Sequence, residues 1–165
     1  MNGTSISCAG RWLALSAALL LAGQPAALAG QGAGKRITGV WTAHVNITNC
    51  LPGNVPGPVV FASFEAMNLF AADGSFLDAN SLDPALASPH LGYWRHIRGN
   101  QYEFAQKFYM FDAGGNATGW RIVRHEVLLH KNGMSFTSGG YAETFDMDGE
   151  LVATGCSTSS AVRFD

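Results

Sequence analysis

Hydrophobic and polar residues alternate along most of the chain after residue 37, and short clusters of glycine, asparagine and aspartate interrupt the alternation. A period of two is typical of β-strands that bury one face, and no convincing 3.6-residue helical period occurs in this region. In the first such segment, Trp41, Ala43 and Val45 share one face. The pattern predicts eight strands, over residues 38–48, 59–70, 76–79, 92–97, 101–111, 119–130, 136–145 and 151–164.

The segments between the predicted strands carry turn-forming residues. Asn132-Gly133 is the strongest hairpin signal, because both residue types tolerate the positive φ of a type I′ turn. A second pattern occurs three times, at 70–74, 111–115 and 145–149, each time with glycine four residues after phenylalanine. We interpret this repetition as one hairpin geometry that is used three times.

Eight consecutive antiparallel strands leave two exposed sheet edges unless the sheet closes on itself, and closure is the usual remedy. We therefore predict an all-β fold, an eight-stranded antiparallel up-and-down barrel. The alternative is a two-sheet sandwich, which requires that the segments 51–58 and 80–89 cross between sheets.

Residues 1–29 have the features of a secretory signal peptide. A positive charge at Arg11 precedes an apolar run over 12–22, and a small-x-small cleavage site ends at Ala29. The apolar run is too short to span a bilayer, which takes roughly 20 apolar residues. We expect a secreted or periplasmic protein with no stable membrane span and a single barrel domain over 30–165.

Cleavage of the signal would remove Cys8 and leave Cys50 and Cys156. An even number of cysteines in an oxidising compartment predicts a disulfide, and two separate buried thiols are the alternative. A bridge that closes a loop of about 100 residues stabilises a fold by about 4–5 kcal/mol in the chain-entropy treatment, before native strain is subtracted.

Gly39-Val40-Trp41 in the first strand and Arg163 near the end of the last resemble the lipocalin and wider calycin group. In that group the first strand carries Gly-x-Trp, and the tryptophan stacks on an arginine near the end of the barrel. The resemblance implies a closed barrel with a ligand-holding interior and a structural role for Trp41 and Arg163. The segment 131–133 lacks the Thr-Asp-Tyr motif of many lipocalins. The chain is also similar to short secreted bacterial barrel proteins of unassigned function.

Two expected contacts between the first and last strands bear on closure. In an eight-stranded meander these strands meet antiparallel, and the pairs Trp41–Arg163 and Cys50–Cys156 fit one register to within a single diagonal step. Alternation places the first pair on one face of the sheet and both cysteines on the other. The shared register favours a barrel with the stacked pair inside and the disulfide outside.

With Trp41 facing inward, the fourth, fifth and sixth strands direct aromatic and polar side chains into the barrel. Eight strands enclose enough space for packed side chains or for one small ligand. Small residues on the last two strands allow either outcome, so a filled and a hollow interior both stay open. The predicted ligand-binding residues are Trp94, His96, Tyr102, Phe104, Gln106, Phe108 and His125.

Charge and motifs exclude several classes of function. The net charge is −2 and Lys and Arg do not cluster, so the basic footprint of a nucleic-acid-binding protein is missing. The sequence has no metal-ligand spacing, no Gly-x-Ser-x-Gly elbow and no glycine-rich phosphate loop. We therefore assign no catalytic residue, metal or cofactor, and expect a small hydrophobic molecule as the partner. The sequence leaves the oligomeric state open.

Two other functions are compatible with this pattern. One is an isomerase or cyclase resembling allene oxide cyclases, in which His96 or His125 polarises an oxygen atom of an apolar substrate. For both histidines a buried neutral imidazole with one hydrogen-bond partner is the favoured interpretation over catalysis. The other function is that of a filled barrel that acts only as an interaction module.

Overall fold

The computed structural model describes residues 37–164, which form an eight-stranded antiparallel sheet closed into a barrel. Each strand pairs with its sequence neighbours and the last pairs with the first, so the predicted up-and-down barrel is confirmed and a sandwich is excluded. The predicted signal peptide and Cys8 lie outside the described residues. The strands are β1 Gly39–Leu51, β2 Val55–Phe70, β3 Ser75–Asn80, β4 His90–Arg98, β5 Gln101–Phe111, β6 Ala117–Leu129, β7 Ser135–Phe145 and β8 Leu151–Arg163.

The pairing of β1 with β8 closes the barrel in the predicted register. Trp41 lies opposite Arg163, and Thr48 lies opposite Cys156. Cys50 is thus one diagonal step from Cys156, and the two are joined by a disulfide with Cα atoms 5.2 Å apart. The predicted disulfide is confirmed, and it links the outer faces of the first and last strands.

One end of the barrel is closed by aromatic packing around Trp41. The indole Nε1 donates to the carbonyl oxygen of Ile37 at 2.8 Å, and the guanidinium carbon of Arg163 lies 4.4 Å from the indole ring centroid. Arg163 also donates from Nε to the carbonyl of Gly133 and from Nη1 to that of Thr38, each at 2.9 Å. A cation over an indole is worth about 2 kcal/mol when desolvated, so this pair holds the two strand ends together.

The three Phe–Gly turns share one geometry, as the sequence pattern suggests. Gly74, Gly115 and Gly149 have φ of 93°, 80° and 88°, and each donates its N–H to the carbonyl three residues earlier. The type I′ prediction for Asn132-Gly133 is wrong, because only Gly133 has a positive φ, of 69°. The side-chain oxygen of Asn132 accepts from the N–H of Met134, and this local contact holds Asn132 in an ordinary turn conformation.

The β1–β2 hairpin extends through most of the segment 51–58 that the sequence suggests is a loop. Two register shifts flank Thr48, and such bulges bend a strand and increase its twist. The hairpin tip consequently folds over the outside of the barrel, where a Cβ added to the outward-facing Gly139 would lie 3.5 Å from Cγ of Pro56. This cover explains why Thr48 and Cys156 are buried although both point outward.

Candidate functional site

The barrel interior is packed at the Trp41 end and hollow toward the other end. The hollow part has a volume of about 330 Å³ and runs from Phe104 up to Leu82, which is exposed in the β3–β4 loop. The interior is therefore filled in the half of the barrel near Trp41 and hollow in the other half. A ligand could enter at the end opposite Trp41, which we call the mouth.

One part of the cavity wall is apolar. Aromatic rings come from β2 and β5, and branched aliphatic side chains come from β1 and β6, because alternate residues of each strand point inward. This surface can make van der Waals contacts with a ligand, and its side chains need no hydrogen-bond partners. Its residues are Val45, Ile47, Phe64, Phe104, Phe108 and Val123.

A polar cluster, made of Asn68, Asp78, Asn80 and His90, occupies the wall formed by β2, β3 and β4. Oδ2 of Asp78 is 2.8 Å from Nδ1 of His90, and both side chains are about nine-tenths buried. Nδ1 makes no aligned hydrogen bond, so the contact is an electrostatic one at short range. Asn68 Nδ2 donates to Oδ1 of Asp78 at 2.6 Å and Asn80 Nδ2 to Oδ2 at 3.3 Å, which leaves the carboxylate well supported.

Gln106 adds a second polar group that protein atoms do not satisfy. Its side chain is buried, with 8% relative exposure, and Oε1 has no hydrogen-bond partner. Its partner across β4 and β5 is Gly92. This position requires glycine, because a Cβ there would lie 1.9 Å from the carbonyl oxygen of Ala105. A buried acceptor without a partner costs about 1–3 kcal/mol, which a donor on a ligand or a water would offset.

His125 sits in a closed hydrogen-bond network on the opposite wall. Its Nδ1 and Nε2 are each 2.8 Å from a serine hydroxyl, that of Ser138 and that of Ser157, and Ser138 is in turn 2.7 Å from Ser159. Burial lowers the pKa of His125 to about 4, and the charge of Asp78 opposes this shift. At neutral pH the imidazole is therefore uncharged, with one nitrogen donating and the other accepting.

Arg121 supplies a positive charge near the mouth. Its Nε donates to Oγ1 of Thr144 at 2.9 Å, and burial lowers the pKa of the guanidinium from its ordinary value. The group borders the main cavity and also a smaller recess of about 150 Å³ lined by small residues of β7 and β8. Within residues 37–164, no carboxylate forms an ion pair with it.

The structure places four of the seven predicted ligand-binding residues on the cavity wall, namely Phe104, Gln106, Phe108 and His125. The other three lie toward the closed end. Trp94 and Tyr102 belong to the packed core, and Trp94 Nε1 donates to the carbonyl of Ala71 at 2.8 Å. His96 lies near the β4–β5 turn, with Nε2 2.9 Å from the carbonyl oxygen of Gly99.

This division has a geometric cause. Strands in a barrel are tilted and staggered, so a cavity at one end takes only one half of the inward-facing residues of each strand. Alternation identifies the inward face of β4 and β5 correctly but carries no information about depth. The predicted wall therefore extends from the cavity through the solid half of the barrel.

Sequence reasoning missed Asn68, Asp78, His90 and Arg121. His90 was expected in a loop, because the fourth strand was predicted to begin at Gly92, whereas β4 begins at His90. Its parity with Trp94 would have marked it as inward-facing once the strand was extended by two residues. The same parity argument applies to Asp78, two residues after the buried Phe76.

Two larger clefts lie on the outer wall beside Pro56, with volumes of about 620 and 410 Å³. Both are open grooves bordered by charged residues such as Glu103 and Glu126, which alternation directs outward. The interior cavity has a more apolar wall than either cleft and is lined by residues of all eight strands. The interior is therefore the stronger candidate site.

No protein-family model matches the chain, and neither a curated protein nor a solved structure matches it significantly. In the part of the chain that the structure describes, no group of three or more His, Cys, Asp or Glu side chains could hold a metal ion. No helix between residues 37 and 164 is long and apolar enough to cross a membrane.

Proposed function

We propose that this chain is a secreted or periplasmic lipocalin-like barrel that binds a small, largely apolar molecule in its interior. The observation that carries the proposal is the 330 Å³ cavity, in which an aromatic and aliphatic wall meets a few buried polar groups. Ligand pockets in proteins have volumes of about 300–1,000 Å³ and combine apolar walls with few polar groups that fix orientation. The cavity has both properties.

The volume limits the size of the ligand. At the roughly 30 Å³ that one water molecule occupies in the liquid, the cavity holds about ten non-hydrogen atoms. A single aromatic ring with a short chain fits this space, whereas a fused polycyclic lipid does not. Gln106 and the Asp78–His90 contact would then select a ligand that carries a hydrogen-bonding group.

The secreted or periplasmic location rests on two features of the chain. The Cys50–Cys156 disulfide is compatible with an oxidising compartment, where such bonds persist. The first 29 residues match the pattern of an export signal that is cleaved after Ala29.

The binding proposal is tested with protein that begins at Gly30 and a panel of neutral one-ring probes, followed by calorimetry and by thermal shift. A matched pair of variants locates the site: Ala142→Phe fills the cavity, and Ala79→Phe adds the same bulk on an exposed outward position. We expect binding in the wild type and in Ala79→Phe, and its loss in Ala142→Phe. A panel without any binder, or equal binding by both variants, would contradict the proposal.

A second candidate function is that of an isomerase or cyclase acting on the bound apolar molecule. The observation that favours it is the buried Asp78–His90 contact on the cavity wall, since a carboxylate beside an imidazole is a common acid–base arrangement. His96 lies outside the cavity, and both ring nitrogens of His125 face serine hydroxyls. In this second function His90 is therefore the histidine that polarises an oxygen atom of the substrate.

Exchange of ligand hydrogens in D₂O tests this second function. A bound carbonyl probe with acidic C–H bonds would gain deuterium with the wild type and with the control His130→Gln, but not with His90→Gln. Retained binding by His90→Gln separates catalysis from affinity. Equal exchange by the three proteins, or none with a probe shown to bind, would count against it. A filled barrel that acts only as an interaction module would require an interior without a cavity.

A further inference from the structure

Arg121 is the only Lys or Arg among the residues that line the interior cavity. Its Nε–H donates to Thr144, and the guanidinium forms no other hydrogen bond or ion pair among residues 37–164. The remaining N–H groups of the planar fork are therefore free to donate. Its position on the wall of the interior cavity distinguishes Arg121 from the arginines on the outer wall.

The contrast with outward-facing arginines on the same sheet is direct. Arg124, three residues along β6, pairs with Glu143, and Arg95 on β4 pairs with Glu103. Both pairs lie on the solvent side, where water would also stabilise a lone charge. Arg121, which faces the cavity, forms no such pair with a carboxylate among residues 37–164.

The Arg121 side chain is part-buried, and moving a charge out of water without a counter-ion is costly. Asp78, the only carboxylate on the cavity wall, is already engaged by His90 and Asn68. Burial lowers the pKa of Arg121, and none of the ion pairs formed among residues 37–164 includes its guanidinium. The described residues therefore provide no anion for the guanidinium of Arg121.

We propose that Arg121 is the anion-binding group of the cavity, and that the ligand is a compact amphipathic carboxylate of about a dozen non-hydrogen atoms. The inference rests on the proposed interior-binding function and adds the charge of the ligand to it. A carboxylate accepts two parallel N–H bonds from a guanidinium, which a neutral group does not do equally well.

The register of β5 and β6 gives the ligand a direction. Phe108 lies opposite Arg121, and Phe104 lies opposite His125, farther from the mouth. A carboxylate on Arg121 would therefore sit near the mouth beside the 150 Å³ recess, with an aromatic body extending inward toward Phe104. The headgroup would stay near water while the ring is buried.

Three probes with one scaffold test the inference: 4-phenylbutanoate, its neutral isostere 4-phenylbutanamide, and the cation 4-phenylbutylammonium. Calorimetry at pH 7.5 gives the three dissociation constants. Because a hydrogen bond to a charged group is worth about 1.5–3 kcal/mol, we expect the acid to bind roughly ten- to a hundredfold more tightly than the amide. The cation should bind most weakly.

Variants assign the preference to one side chain. Arg121→Gln should reduce the acid-to-amide ratio to about one, and Arg121→Lys should restore part of it because the charge is kept. Arg124→Gln removes an outward arginine from the same strand and should leave the ratio unchanged. The ratio in the wild type does not depend on whether any variant folds.

The outcomes separate this inference from the proposal beneath it. Equal binding of acid and amide, a preference for the cation, or a ratio that survives Arg121→Gln would overturn the carboxylate inference and leave interior binding intact. If none of the three probes binds at millimolar concentration while other neutral probes do, the ligand class is wrong. If no probe of any kind binds, both proposals fail together.

Discussion

The imidazole of His90 lies flat against the ring of Phe108, with centroids 3.7 Å apart and planes inclined by 6°. Asp78 approaches the same imidazole from β3, because His90 is its direct partner in the β3–β4 register. The histidine is thus held between an aromatic face and a carboxylate. This arrangement gives a buried polar pair on the cavity wall.

The energetics of that pair can be measured with a double-mutant cycle. Removing one partner of a buried polar contact leaves the other unsatisfied at a cost of about 1–3 kcal/mol, whereas replacing both with apolar groups of the same shape can be nearly neutral. We expect Asp78→Leu to lower the free energy of unfolding substantially, and Asp78→Leu combined with His90→Leu to lower it less. Urea denaturation of the four proteins gives the coupling energy, and strictly additive costs would show that the two side chains do not interact.

The stability of the barrel should fall on acidification because of His125. Its folded pKa is about 4, below the roughly 6.5 of an unfolded histidine, so between these values the unfolded chain binds the extra proton. Unfolding free energy is therefore fully retained above pH 6.5 and declines toward pH 4, by up to about 3 kcal/mol.

Comparison with a non-titrating side chain isolates this contribution. Urea denaturation at pH 7 and pH 4.5 should show a smaller pH dependence for His125→Gln than for the wild type. The exposed His130→Gln is the control and should keep the wild-type dependence. An identical pH dependence in all three proteins would contradict the assignment to His125.

The plug at the closed end gives a third prediction. Arg163→Met removes the charge over Trp41 and leaves the carbonyl oxygens of Gly133 and Thr38 without their donors. We expect a loss of about 2–3 kcal/mol in unfolding free energy, measured by urea denaturation. Arg163→Lys should recover only part of it, because an ammonium lacks the planar fork. Arg95→Met, on an exposed position, should cost under about 1 kcal/mol.

The disulfide gives a fourth prediction. Replacing Cys50 and Cys156 together by serine opens a loop with a sequence separation of 106 residues. The chain-entropy treatment gives a loss of up to about 4–5 kcal/mol in unfolding free energy. Far-ultraviolet circular dichroism should keep its strand signature below the lowered midpoint, because the strand pairing does not depend on the bridge. A midpoint equal to that of the oxidised wild type would show that the bridge adds no stability.

Much of the barrel could be predicted because its determinants are local. Alternation identifies the inward face, and turn residues separate the strands, so strand number and order follow from the sequence. The Trp41–Arg163 and Cys50–Cys156 pairs then place the last strand beside the first, a long-range contact that two independent pairs support. The Asn132-Gly133 turn was misassigned because a side-chain contact of Asn132 competes with backbone preference.

The candidate site was less predictable, because it depends on depth along the barrel axis. Trp94 and Phe104 have the same inward parity and pair directly across β4 and β5, yet only Phe104 reaches the cavity wall. Arg121 has the parity of Val123, but the sequence gives no sign of whether a charged residue on this strand face meets water, a carboxylate or a ligand. Those distinctions depend on strand tilt and on neighbours from three different strands.

The N–H of Phe164 donates to the carbonyl oxygen of Val40 at 3.0 Å, so the chain enters and leaves the barrel at almost the same point. That point is at the end that Trp41 closes. An attachment made next to residue 37 or residue 164 therefore lies at the end of the barrel opposite the mouth. Immobilisation at either of these two positions leaves the cavity facing solution, which makes surface-based binding measurements practical.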